Sequence, residues 1–207
     1  PIAVTALTSS MLEDMQIEGG SDLQLVTPSL SFQGSDATGG AFNIRGITNL
    51  AVSPTAESGV EIHVNDLPVG ATTMQDGDFL DMERIEVLRG PQGTLFGKNS
   101  VGGVINLITA KPQFGEAFGS AGIDVGSYDL LKTKLMLNIP LGESLAMRIA
   151  ASSNDRDGDI KNIYSKAKTS HVNNRDSDAY RLSIAWNASD RTDVLFVHEN
   201  YSENSMR

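Results

Sequence analysis

From Ala117 onward, five successive stretches, roughly 117–126, 130–140, 144–155, 178–188 and 192–202, show a period-two tendency in their apolar side chains, with no helical spacing among them. In the second stretch Leu131, Thr133, Leu135, Leu137 and Ile139 share one side, and Lys132, Lys134 and Asn138 the other. In the third, Leu145, Met147 and Ile149 oppose Arg148 and Ser152; in the fourth, Tyr180, Leu182, Ile184 and Trp186 oppose Arg181, Ser183 and Asn187. A side-chain period of two belongs to strands, so this part of the chain is restricted to antiparallel sheet with one oily and one wet face. Two architectures satisfy that restriction. A soluble sandwich turns the oily face inward, and a barrel wall turns it to lipid. Loop length favours the wall: Pro140 to Ser144 and Ala188 to Thr192 are short, the connection from about Asp155 to Ser177 is long, and transmembrane barrels alternate short turns with long loops. No run of about 18 apolar residues exists, so no helix is expected to cross a membrane.

The character changes at Lys111-Pro112. Before that point the pattern is mixed. Ile2 to Leu7 reads as a strand, and Ser10-x-x-Glu13 has the form of a capping box opening a short helix with Met11, Leu12 and Met15 on one face, ended by Gly19-Gly20. Ser21-x-x-Gln24 repeats the capping logic before Leu23, Leu25 and Val26, and Pro28 stops it. Strands are expected at Leu30 to Gln33, Phe42 to Arg45, Glu61 to Val64, Ile85 to Leu88 and Val104 to Thr109. Between them lie Gly34 to Ala41, Thr48 to Ser58 and Gly70 to Asp78, polar stretches of a length that in compact domains often serves for binding.

The totals exclude several classes. A net charge of −10 with no basic block disfavours a nucleic-acid partner. Zero cysteines exclude disulfides and thiolate metal sites and suit an oxidising compartment. Gly97-Lys98 suggests a phosphate-cradling loop, but G-x-x-x-x-G-K-[ST] fails: Gln92 stands at the first Gly position and Asn99 at the hydroxyl position. The histidines, His63, His171 and His198, fall in three separate elements with no His-x-x-x-His pair, and no G-x-S-x-G elbow occurs. Asp155-Arg-Asp157-Gly158-Asp159 is no EF-hand loop, since Ile160 and Lys166 stand at its sixth and twelfth positions. No enzyme, metal or cofactor is expected.

The run RIEVLRGPQGTLFGKNSVGGVINLITAKP, from Arg84 to Pro112, sets glycines between two β-type segments. This stretch resembles the signature near the end of the plug domain of TonB-dependent outer-membrane receptors. Weaker echoes are Pro1-Ile2-Ala3-Val4-Thr5, Phe42-Asn43-Ile44-Arg45-Gly46 and Ile62-His63-Val64-Asn65-Asp66-Leu67-Pro68. One departure is that the family usually has Asp-Gly where this chain has Asn65-Asp66, so a turn with φ > 0 must be met by residues that merely tolerate it.

The resemblance implies an α+β plug domain over residues 1–112, followed over 113–207 by antiparallel strands of an incomplete transmembrane β-barrel, as the N-terminal portion of a receptor several times longer. It implies ligand-gated, energy-coupled uptake of a scarce nutrient across the bacterial outer membrane. A ferric siderophore is the leading ligand class, with cobalamin or oligosaccharide as alternatives. A soluble β-rich binding module is the competing function. Arg45 and Arg89 correspond to arginines that face barrel carboxylates and would latch plug to wall, and Gly90, Pro91, Gly93, Gly97, Gly102 and Gly103 shape the motif turn. Asn49, Thr72, Thr73 and Met74 fall near loop apices expected to face the ligand. The implied partners are an iron chelate, outer-membrane lipid and a TonB-type energy-coupling protein docking a segment before Pro1.

Overall fold

In the computed structural model, which describes residues 3–35, 39–48, 59–69, 77–164 and 170–205, strand β1 (Ala3–Thr8) runs directly into helix α1 (Ser9–Asp14). The expected capping box is displaced. Thr8 is the N-cap, its Oγ1 accepting from the Met11 amide at 3.4 Å, while the Ser10 hydroxyl sits 3.0 Å from the Thr8 hydroxyl. The strand keeps Thr8 extended through its pairing with Arg84, which is the backbone geometry an N-cap needs. Gln16, at φ 53°, turns the chain out of the helix. The second cap does not involve Ser21: Gly19 is the N-cap of a 3₁₀ turn (Gly20–Asp22), the Asp22 carboxylate reaches back to accept from the Glu18 and Gly19 amides at 2.9 and 3.0 Å, and the turn leads into α2 (Leu23–Val26), which has no side-chain cap bond.

A two-stranded ribbon follows, β2 (Leu30–Ser35) with β3 (Gly39–Ile44), then β4 (Val60–Val64), β5 (Leu67–Pro68), β6 (Met82–Arg89), α3 (Gly93–Phe96) and β7 (Gly103–Thr109). The main sheet has the order β1-β6-β7-β4-β5, antiparallel throughout except for the parallel pair β4 and β7. Alternation gives this sheet two faces. Leu7, Ile85, Val87, Ile105, Val60 and Ile62 lie on one of them and join Leu12, Ile17, Leu23, Leu30, Phe42 and Ile44 in a single buried cluster. Each such side chain contributes about 1.5–3 kcal/mol on burial, so the short helices and the ribbon are held chiefly by this face. The other face carries a polar row, Glu86, Asn106 and His63, in direct cross-strand register.

The chain divides into two units, Pro1–Ala110 and Lys111–Arg207. The second consists of β8 (Phe118–Gly126), β9 (Leu130–Pro140), β10 (Leu145–Arg156), a two-residue ribbon of β11 (Ile160–Lys161) with β12 (His171–Val172), β13 (Arg175–Ser189) and β14 (Thr192–Glu203). Its sheet is ordered β14-β13-β10-β9-β8 and antiparallel throughout. Gly158 is required where the long connection doubles back, because a Cβ there would lie 2.3 Å from the Val172 carbonyl oxygen.

The polarity of this sheet is the reverse of a soluble sandwich. Ile123, Val125, Leu135, Trp186, Val194 and Phe196 are exposed, Ile123 to 71% and Val125 to 78%. The opposite face holds Lys132, Asn138, Arg148, Ser177, Arg181 and Ser183, all buried. Water-soluble sheets bury their apolar face, and a wall facing hydrocarbon exposes it. The fold is an α+β plug followed by the strands of an incomplete transmembrane barrel.

Candidate functional site

The signature segment forms a folded-back bridge from β6 to β7. The Gly90 amide donates to the Gly102 carbonyl and the Gln92 amide to the Ser100 carbonyl, both at 2.9 Å. Gln92 accepts in turn from Leu95 and Phe96, starting α3, and the Ser100 hydroxyl closes the turn on the Gly97 carbonyl at 2.8 Å. The glycines serve different ends. Gly90 and Gly97 have φ of 109° and 84°, in the region where a Cβ is unfavourable. At Gly103 a Cβ would stand 2.3 Å from the Leu88 carbonyl oxygen, and at Gly102 3.0 Å from Ile47 and 3.1 Å from the Gly59 carbonyl oxygen. Gly93 has no neighbour within 4 Å of that position, so no packing demand explains it.

Both singled-out arginines come to one corner of the first unit. Arg89 donates from Nη1 to the Pro28 carbonyl at 3.2 Å, and its Nε is buried without a partner. Arg45, exposed and at φ 54°, donates its amide to the adjacent Ser29 carbonyl, and its Nη1 lies 3.6 Å from the position of a Cβ on Gly90. The Asn43 side chain accepts from the Gly46 amide at 2.8 Å and fixes that bend. Asn49, Thr72, Thr73 and Met74 lie outside the described residues.

The Asn65-Asp66 turn carries a network that sequence reasoning missed. Both residues have positive φ, 51° and 67°, the geometry of a tight hairpin turn with Val64 paired to Leu67. Asn65 binds Thr109 through side chain and backbone, and Asp66 accepts from the Asn106 amide group at 2.7 Å. His63, buried, sets Nδ1 3.1 Å from the Asp66 carbonyl oxygen and Nε2 3.3 Å from a Glu61 carboxylate oxygen, with its ring edge-on to Phe96. A polar residue interrupting the apolar run Val104-Ile105-Asn106-Leu107 was the available signal.

In the second unit the polar face is tied by charge. Arg181 donates from Nε to Glu199 at 2.7 Å, Arg175 approaches Glu203 at 3.5 Å, and the Arg148 guanidinium lies over the Phe118 ring. Asn138 holds the entry to β8, accepting from the Gln113 amide and donating to the Gln113 and Glu116 carbonyls. The histidines do not converge. Among the described residues no group of three or more His, Cys, Asp or Glu is placed to hold a metal ion.

The chain matches the family model of the TonB-dependent receptor plug domain over residues 1–104, half of its 207 residues, and it belongs to that family. It is 33% identical over 131 residues to the metal-pseudopaline receptor of Pseudomonas aeruginosa, covering 61% of this chain and 16% of that protein. To the pesticin receptor of Yersinia pestis it is 28% identical over 146 residues, covering 70% and 21%. The crystal structure of the ferric yersiniabactin uptake receptor from Yersinia pestis superposes with a TM-score of 0.84 at 23% identity, over 97% of this chain and 31% of that one. The chain therefore spans about a fifth of the length of these curated relatives.

Proposed function

We propose that this chain is the plug and first wall strands of an outer-membrane receptor that imports a ferric siderophore by energy-coupled gating. The observation that carries the proposal is the succession of a matched plug and a sheet whose exposed face is apolar and whose charged face is buried. Such a sheet is stable where hydrocarbon replaces water on one side. The named relative that is a receptor for metal-pseudopaline, and the structural neighbour that takes up ferric yersiniabactin, favour a metal-chelate ligand.

In this reading the plug obstructs free diffusion, and ligand shifts it between conformations that differ in affinity. A TonB-type protein supplies the pull, docking ahead of Pro1 by strand addition. Plug (1–112) and wall (113–207) act as separate bodies. Arg45 and Arg89 latch the plug to carboxylates of the complete wall, which is supported by the meeting of both arginines at Pro28 and Ser29 and by the unpartnered Arg89 Nε. A buried guanidinium atom without an acceptor is costly, so a carboxylate partner would be strongly favoured. Asn49, Thr72, Thr73 and Met74 contribute to the ligand side.

The test is twofold. The full-length protein should fractionate with outer membranes, and cells dependent on it should regain growth with iron chelates but not with cobalamin or oligosaccharide. Rescue must vanish when the proton gradient is collapsed. Recovery of the full-length protein in the soluble fraction would overturn the reading.

A further inference from the structure

His63 is buried on the polar face of the main sheet, and its surroundings select one tautomer. Nδ1 lies 3.1 Å from the Asp66 carbonyl oxygen, which can only accept, so the ring hydrogen is on Nδ1. In a neutral imidazole Nε2 then has a lone pair and no hydrogen. It stands 3.3 Å from Glu61 Oε2, and an ionised carboxylate also only accepts. Both atoms are shut off from water, and neither has an aligned hydrogen bond. Two buried acceptors side by side are unfavourable, since each has given up water without gaining a donor. Among the described residues, the polar groups around the pair are already engaged. Asn106, in register with His63, gives its side-chain amide to Asp66 Oδ1 at 2.7 Å, and Glu86, across from Asn106, accepts from Arg84 Nε at 2.7 Å. Val104 stands opposite Glu61, and Pro68 opposite His63. Helix α3 sets Phe96 against the imidazole, ring centroids 5.0 Å apart, and contains no titratable residue; Lys98, two residues beyond it, has partners of its own.

We propose that Glu61 and His63 hold one proton between them, and that this proton is a pH-sensitive clamp on the β4–β5 turn and the signature bridge. With the proton in place the pair is an imidazolium beside a carboxylate, or a neutral ring beside a neutral acid. The two forms are one site, because the proton belongs to the pair. The clamp reaches in two directions. Through Nδ1 it holds the Asp66 carbonyl, in the turn where Asn65 and Asp66 both have positive φ. Through its ring it abuts Phe96, the last residue of α3 in the signature segment. Counting protons gives the sign of the effect. The folded pair keeps a proton that the same two side chains give up in water as pH rises, so the folded state binds more protons and its stability falls with rising pH. Acid tightens the turn and alkali loosens it. This device is independent of which ligand the receptor imports.

The experiment follows hydrogen exchange of residues 60–69 in the full-length receptor purified in detergent, from about pH 6 to about pH 8.5, a range across which an ordinary histidine loses its proton. Rates are corrected for the intrinsic effect of pH on exchange, and the protection of β9 and β10 serves as the internal reference. In the wild type, protection of residues 60–69 should fall at least about fivefold across this range, as for the loss of one buried contact. Glu61→Gln supplies a fixed amide hydrogen to Nε2 in place of the proton. Its protection should be the same at both ends of the range and at the alkaline end should exceed that of the wild type. His63→Gln should also lose the pH dependence, with protection lowered throughout. A wild type whose protection ignores pH overturns the proposal whatever the variants do, and so does an equal pH response in wild type and Glu61→Gln. Zinc added at the alkaline end is the last control: if it restores protection to the wild type and not to Glu61→Gln, the occupant between the two side chains is a metal cation and the proton clamp is wrong.

Discussion

Asn65 and Thr109, forty-four residues apart, grip each other through three hydrogen bonds: the Asn65 side chain accepts from the Thr109 amide at 3.0 Å and its hydroxyl at 3.2 Å, and donates to that hydroxyl at 3.0 Å. The Thr109 hydroxyl accepts a proton from the Asn65 side-chain amide group and donates its own to the Asn65 side-chain oxygen, so its two contacts use different protons. The grip ties the hairpin turn between β4 and β5 to the last residue of β7. Asn65→Ala removes it and places a less tolerant residue at positive φ; a loss of about 2–3 kcal/mol is expected from the bonds and the backbone together. Asn65→Gly keeps the backbone and should lose about 1–2 kcal/mol. Urea unfolding of a chain ending near Gln113 measures both, and equal losses for the two variants would show that the side-chain grip alone matters.

The signature glycines should separate under substitution. Gly103→Ala drives a Cβ into the Leu88 carbonyl oxygen, a backbone atom that cannot turn aside, and should prevent accumulation of folded plug. Gly93→Ala meets open space in the first position of α3, where alanine is the better helix former, and should be neutral or stabilising by up to about 1 kcal/mol. Protease resistance of the two variants reads the contrast directly.

Truncation at Gln113 should give a monomer free of detergent, whereas the 207-residue chain should associate. The plug carries its own buried cluster, while the second unit exposes Ile123, Val125, Trp186 and Phe196 on one face. Apolar surface of that extent is covered by lipid or by another copy. Size-exclusion chromatography of both decides, and a monodisperse, detergent-free 207-residue monomer would contradict the wall.

Arg181→Ala should leave the Glu199 carboxylate without its charged partner and cost about 1–3 kcal/mol, the Arg181 side chain being 2% exposed and Glu199 more open to water. The double change with Glu199→Gln should recover part of the loss. A double-mutant cycle without coupling would show that the pair with Glu199 adds nothing to stability.

Bulk or charge at Thr72 or Thr73 should weaken uptake with expression unchanged. Unaltered ligand affinity of the purified full-length receptor would remove these residues from the ligand side.

The strands of the second unit were legible because their apolar residues tend to a period of two and no helical spacing competes with it; β13 begins at Arg175, ahead of the expected 178, since Arg175-Asp-Ser-Asp178 contains nothing apolar to carry the period. Helix starts were less legible. Thr8 and Ser10 are chemically interchangeable caps, and the choice between them was made by pairing of β1 to β6; at the second turn the Asp22 carboxylate reaches back to the Glu18 and Gly19 amides, a bond that the spacing Ser21-x-x-Gln24 does not announce. The signature glycines announced a tight bridge, yet what each glycine approaches is a contact through space, invisible to spacing. For the same reason Asn106 and Thr109 gave only an interruption in an apolar run, without naming Asp66 or Asn65 as their partners.

The position of β7 has a consequence in time. It is the last plug strand to be synthesised, yet it stands in the middle of the sheet, between β6 and the parallel β4. Until Gly103–Thr109 exists, β1 with β6 and β4 with β5 are two fragments with facing, unfilled edges. The sheet is therefore completed by insertion rather than by growth from one side, and the plug cannot close its main sheet until almost its whole length has been made.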